Sequence, residues 1–108
     1  MRLTLHIETS SVGKDWLFLI HGGKAHIGAI ALAYPHKDNI HSESLTVPGH
    51  REEQLAMEIA RYAAHELRQA VTVVMGIHID DATKEEIVEI VESVHLAMKQ
   101  ELMRIKAC

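Results

Sequence analysis

The chain of 108 residues suffices for one domain and not for two, since domains usually need about 100–200 residues. Its 47% hydrophobic and 24% charged residues exclude a disordered chain and a collagen-like chain. Its single cysteine, Cys108, excludes a disulfide scaffold. A net charge of −4 and the lack of a long apolar run argue against bulk nucleic-acid binding and a membrane span. We expect one cytoplasmic domain over residues 1–108.

The first half of the chain predicts strands. Apolar and polar residues alternate over residues 2–9, as in a half-buried strand. The apolar and aromatic residues 15–21 predict a second strand, which Gly22 and Gly23 would end in a tight turn. Residues 24–33 are interpreted as a third strand that forms a hairpin with the second.

The second half of the chain brings the helices. After a polar loop, residues 43–47 predict a short fourth strand, and apolar residues at helical spacing predict a helix over 51–69. The β-branched run 71–79 predicts a fifth strand, and Thr83 with Glu86 has the spacing of a capping box that starts a second helix. The order β-β-β-β-α-β-α indicates an α+β domain with an antiparallel sheet and two helices packed on it.

The hairpin predicted around the two glycines concentrates residues that suit a ligand. If side chains alternate between faces, one face of the hairpin is apolar and would pack against the helices. This face carries Trp16, Phe18, Ile20, Ala25, Ile27 and Ala29. The other face is mixed and would carry Leu17, Leu19, His21, Lys24, His26 and Gly28. Its cations could meet a phosphate, and its glycine would let a flat ring approach the backbone.

We therefore predict a binding site made of His21, Gly23, Lys24, His26 and Gly28. The same pattern is compatible with a purely structural turn and a solvated strand face.

A second set of residues would form a metal site if the first and fifth strands were neighbours. His6, His78 and Asp80 would then share one face, with two imidazoles and a carboxylate for zinc or iron. The alternative is that this face of the sheet is exposed to solvent and binds no metal. Acidic pairs such as Glu52 and Glu53 are interpreted as helix N-terminal residues, where the helix dipole favours negative charge, and His50 as a surface residue.

Residues 22–29, Gly-Gly-Lys-Ala-His-Ile-Gly-Ala, resemble the signature of the prenylated-flavin chaperones, the LpdD-like domain family. These domains are similar in fold to the proteasome assembly chaperones, and the length and element order are similar too. The resemblance implies a non-catalytic protein that binds prenylated FMN and helps a UbiD-type decarboxylase apo-enzyme to mature. It also implies a homodimer, and it matches Gly23, His26 and Gly28 to signature positions.

Two observations from the residues favour a dimer as well. One sheet with two helices covers a single face, so Leu17 and Leu19 would stay exposed without a partner. Aromatic residues make up 4% of the chain, which favours a flavin site shared by two subunits. A ligand-free assembly chaperone and a small metal-dependent enzyme that uses His6, His78 and Asp80 are the alternative functions.

Overall fold

The computed structural model describes residues 2–107, so the single cysteine, Cys108, lies outside the described residues. The α+β order β-β-β-β-α-β-α is confirmed. The elements are β1 (Leu5–Val12), β2 (Asp15–Gly23), β3 (Ala29–His36), β4 (Asn39–Thr46), α1 (Glu53–Leu67), β5 (Val71–His78) and α2 (Lys84–Lys106). Neither helix is long and apolar enough to cross a membrane.

The five strands form one sheet in the order β1-β2-β5-β3-β4. The pairs β1–β2, β3–β4 and β3–β5 are antiparallel, and β2–β5 is the one parallel pair in the described part of the chain. The predicted hairpin between the second and third strands is therefore wrong, because β5 lies between them. The run of β-branched residues in β5 is buried along most of its length, which suits a central strand with neighbours on both sides.

Several strand boundaries also differ from the prediction, including that of β1, which spans Leu5–Val12 rather than residues 2–9. Residues 24–28 form an irregular connection rather than the start of a strand, so Ala25 and Ile27 are exposed and do not belong to the core face. The predicted loop over 34–42 is instead a tight hairpin between β3 and β4, in which His36 pairs with Asn39.

The core lies between the sheet and the two helices. Phe18 and Ile20 of β2 are fully buried, as predicted, and Trp16 packs partly against the core. Buried alanines on β3 and α1 let this helix and strand approach closely. The capping box of Thr83 and Glu86 is confirmed at the start of α2.

The other face of the sheet carries apolar side chains that α1 and α2 do not cover. Ile30, Leu32 and Tyr34 of β3 are exposed there, and Leu45 of β4 is 70% exposed. Their positions alternate with the buried residues, as expected for a strand with one face in the core. We call Ile30, Leu32, Tyr34 and Leu45 the open face.

Candidate functional site

The connection from β2 to β3 passes over the end of β5. The backbone N–H of Lys24 donates to the carbonyl of His78 (3.1 Å), and that of Gly28 donates to the carbonyl of Met75 (2.9 Å). A Cβ atom on Gly76 would overlap the carbonyl of His26, so this close crossing requires glycine at position 76. The crossing holds His26 at the end of the sheet.

His26 lies at the centre of a group of polar side chains. Its ring stacks on His50 with centroids 4.5 Å apart, and His78 meets it edge-on at 6.3 Å. Its Nδ1 bonds the carbonyl of Lys24 at 2.9 Å, and its Nε2 lies 3.5 Å from Oε1 of Glu52. We call His26, His50, Glu52, His78 and Asp80 the histidine cluster.

Glu52 enters the cluster from the residue just before α1. Its side chain is 13% exposed, and that of His26 is 20% exposed. Oε2 of Glu52 and Nε2 of His26 are both buried without a hydrogen bond. Gly28 makes room for this carboxylate, since a Cβ there would overlap it. The predicted open approach to the Gly28 backbone is therefore occupied by a side chain of the same chain.

Asp80 contacts both Lys24 and His78 through its carboxylate. Its two carboxylate oxygens each lie 3.0 Å from a partner, Nζ of Lys24 and Nε2 of His78. Hydrogen bonds from Lys24 and His78, of which that from Lys24 has the larger effect, hold the pKa of Asp80 below its ordinary value. The predicted ligand residues Lys24 and His26 and the predicted metal residues His78 and Asp80 thus meet in one place.

The other predicted site residues lie apart from this cluster. His21 stacks on His6 with centroids 5.0 Å apart and bonds Glu8 at 2.9 Å. The first and fifth strands are not neighbours, because β2 separates them, and His6 lies beside His21 instead of joining His78 and Asp80. Gly23 ends β2 with a φ of +69°.

A cavity of about 370 Å³ opens next to the histidine cluster, between the end of β5 and the first turns of both helices. This is near the lower limit of the roughly 300–1,000 Å³ typical of small-molecule sites. Its polar side is formed by His50, Arg51, Glu52 and His78. Its apolar side is formed by Leu55, Ile77, Ile79, Ala82, Ile87, Ile90 and Val91. Such a cavity can hold a flat apolar group that carries an anion at one end.

A second, wider depression of about 690 Å³ lies on the open face. It is lined by Ile30, Leu32, Leu45 and Thr72, with Glu43 at one side. Apolar side chains on an uncovered sheet are typical of a protein interface.

Sequence reasoning missed two members of the cluster, His50 and Glu52. Their His-x-Glu spacing after Pro48-Gly49 was a weak signal, because such residues at a helix start are commonly explained by solvation and the dipole. The fold brings His50 and Glu52 to His26, which lies 24 and 26 positions before them in the chain.

Comparisons with known proteins agree with this architecture. The family model described as prenylated flavin chaperone LpdD-like domain matches residues 1–106. A chain in the crystal structure of a novel chaperone complex for yeast 20S proteasome assembly is similar with a TM-score of 0.54. The identity is 10% over 94% of this chain and 99% of that chain, so this likeness concerns the fold. No curated protein matches the chain.

Proposed function

Because the chain belongs to the prenylated flavin chaperone LpdD-like domain family, we propose that it binds prenylated FMN and assists the maturation of a UbiD-type decarboxylase. In this role it presents the flavin to the apo-enzyme and does not itself catalyse the decarboxylation. The observation that carries the proposal is the family match over residues 1–106.

We place the flavin in the cavity beside the histidine cluster. The isoalloxazine and its prenyl-derived ring are flat and largely apolar, and they suit the wall formed by residues such as Leu55, Ile77 and Ile90. The phosphate would lie at the mouth, beside Arg51, which lines the cavity, and within reach of Lys24, which Asp80 links to the lining residue His78. Charge-assisted hydrogen bonds from these two cations would orient it.

This placement revises the predicted site. His26 is a poor phosphate ligand in this arrangement, because its Nδ1 is bonded to the Lys24 carbonyl and its Nε2 faces the carboxylate of Glu52. His21 is turned toward Glu8 and His6. Of the predicted residues, Lys24 retains a direct role toward the flavin in the proposal, and Gly28 supports the site by admitting Glu52.

The experiment is a fluorescence titration of the purified protein with FMN and with prenylated FMN. We expect Arg51→Gln and Lys24→Gln each to weaken binding by about tenfold, as for loss of a charge-assisted hydrogen bond. Lys14→Gln is the matched control, because Lys14 lies in the turn between β1 and β2, at the opposite end of β2. Equal binding by all the variants would contradict the placement, and no binding of either flavin by wild type would contradict the function.

The open face supports one further part of the proposal, a homodimer. A second copy of the chain that packs there would cover Ile30, Leu32 and Leu45. The same exposed face is what favours the second candidate function, a ligand-free assembly chaperone that docks another protein. The two functions differ in the flavin titration, since the second requires no ligand.

A further inference from the structure

We propose that His26, His50 and Glu52 form a binding site for a divalent transition-metal ion, with Zn²⁺ as the ion that fits best. One ligand atom from each of these residues lies within 4.8 Å of the other two. Two imidazoles and one carboxylate are the ligand set of zinc sites that keep a coordination position open. These residues differ from the metal set predicted from the sequence, and the flavin proposal does not use them as ligands.

The hydrogen bond of His26 prepares its other nitrogen to bind a metal. A carbonyl oxygen only accepts, so Nδ1 must carry the proton that it donates to the Lys24 carbonyl at 2.9 Å. In a neutral ring this leaves a lone pair on Nε2, which points toward Glu52. Metal-binding histidines commonly have this outer hydrogen bond to a backbone carbonyl, which fixes the tautomer and the ring orientation.

Two neighbouring polar atoms of the site lack a hydrogen bond. They are Nε2 of His26 and Oε2 of Glu52, and both are buried. A buried carboxylate oxygen without a partner is costly, and an ion is one of the explanations for such an atom. A single cation between the two residues would satisfy both atoms at once.

The spacing also fits a shared ion. Nε2 of His26 lies 3.5 Å from Oε1 of Glu52, which is long for a charge-assisted hydrogen bond. Two ligands at zinc distances of about 2.0–2.1 Å in a tetrahedron lie about 3.3 Å apart. The three ligand atoms lie within 4.8 Å of one another, so the side chains of His50 and Glu52 would both move to close on one ion. His50 and Glu52 also line the cavity, so the open coordination position would face it.

An ion pair between protonated His26 and Glu52 is the competing explanation of this contact. It involves two residues and gives His50 no role beyond stacking on the His26 ring. A His50→Phe variant therefore separates the two explanations, because phenylalanine keeps an aromatic ring for stacking and removes the ligand nitrogen. Glu52→Gln keeps the shape of the side chain and removes its charge.

The test is titration of the chelator-treated full chain with Co²⁺, followed by absorption, and with Zn²⁺, followed by calorimetry. We expect one ion per chain, and a loss of affinity of more than about 100-fold in His50→Phe and in Glu52→Gln. Loss of an outer hydrogen-bond partner alone costs about 10–100-fold, and loss of a ligand should cost more. The matched control is His95→Phe, since Nε2 of His95 pairs with Glu58 at 3.2 Å on the helix surface.

Thermal unfolding with and without one equivalent of Zn²⁺ gives a second measurement on the same proteins. Zn²⁺ should raise the melting temperature of wild type and His95→Phe and leave that of the two ligand variants unchanged. The proposal is overturned if wild type binds no ion tightly, or if the folded ligand variants bind as tightly as wild type. A variant that does not fold leaves the decision to the wild-type titration and the other variant. Because the flavin test changes Arg51 and Lys24, each proposal can fail without the other.

Discussion

Gly28 and Glu52 are fitted against each other at the end of the sheet, because any Cβ atom on Gly28 would overlap the Glu52 carboxylate. Gly28 directly precedes β3, and Glu52 directly precedes α1. The backbone N–H of Ala56 also donates to the Glu52 carbonyl at 2.8 Å. The contact thus fixes the start of the helix relative to the sheet and sets the position of the carboxylate in the histidine cluster.

Gly28→Val should lower the free energy of unfolding by about 1–3 kcal/mol, the usual cost of overpacking. The added side chain must displace Glu52 or move the strand. Urea unfolding followed by circular dichroism measures the change. Ala25→Val is the control, since Ala25 is an exposed residue of the same connection and should change stability by less than about 0.5 kcal/mol. Equal stabilities of Gly28→Val and wild type would show that Glu52 moves aside without cost.

Gly76→Ala should cost at least about 3 kcal/mol, the upper end of the overpacking range. The atoms that its Cβ would meet belong to the backbone of His26, which cannot rotate away as the end of a side chain can. The same urea experiment applies. Thr72→Ala, on the same face of β5, serves as the reference, and a loss no larger than that of Thr72→Ala would refute the close crossing.

The proposed dimer should depend on the open face. Light scattering of wild type at micromolar concentration should give twice the chain mass of 12.1 kDa. Leu45→Glu should yield monomer, since it places a charge in the middle of the apolar contact. Met103→Glu is the control because Met103 is 62% exposed on α2 and lies outside the open face. A Leu45→Glu protein that stays dimeric would place the interface elsewhere.

Acid should weaken the contact of the N-terminal segment with α2. The hydrogen bond from Arg2, together with the backbone hydrogen bond of Thr83, lowers the pKa of Glu86 from 4.5 to about 2. Because the pKa is lower in the folded state, this contribution to stability is complete above 4.5 and is lost as the pH falls toward 2. Arg2→Gln should make unfolding stability less dependent on pH in that range.

The measurement is the free energy of unfolding by urea at a series of pH values for wild type and Arg2→Gln. The two curves should approach each other at the acid end, where Glu86 is protonated in both proteins. Carbon-detected titration of the Glu86 carboxyl gives the matching site-specific result. Parallel curves with a constant separation would mean that Arg2 acts through something other than the ionised carboxylate.

Much of the fold could be predicted because it depends on local patterns. Helical spacing of apolar residues and the Thr83–Glu86 capping box located α1 and α2 within a few positions. Alternation located β1 to within three residues, an apolar and aromatic run located β2, and the β-branched run located β5. The third and fourth strands were misjudged at their ends, because Tyr34 to Ser42 has the composition of a loop although it forms a hairpin.

The sequence by itself determined the order of elements and the face of β2 that is buried. The tertiary structure decided which strands are neighbours. The β-branched strand β5 lies in the centre, where it pairs along both edges and separates β2 from β3. The connection 24–28 must then cross the end of β5, and this crossing brings His26 to His50 and Glu52. Contacts between residues so far apart in the chain depend on strand order, which no local periodicity encodes.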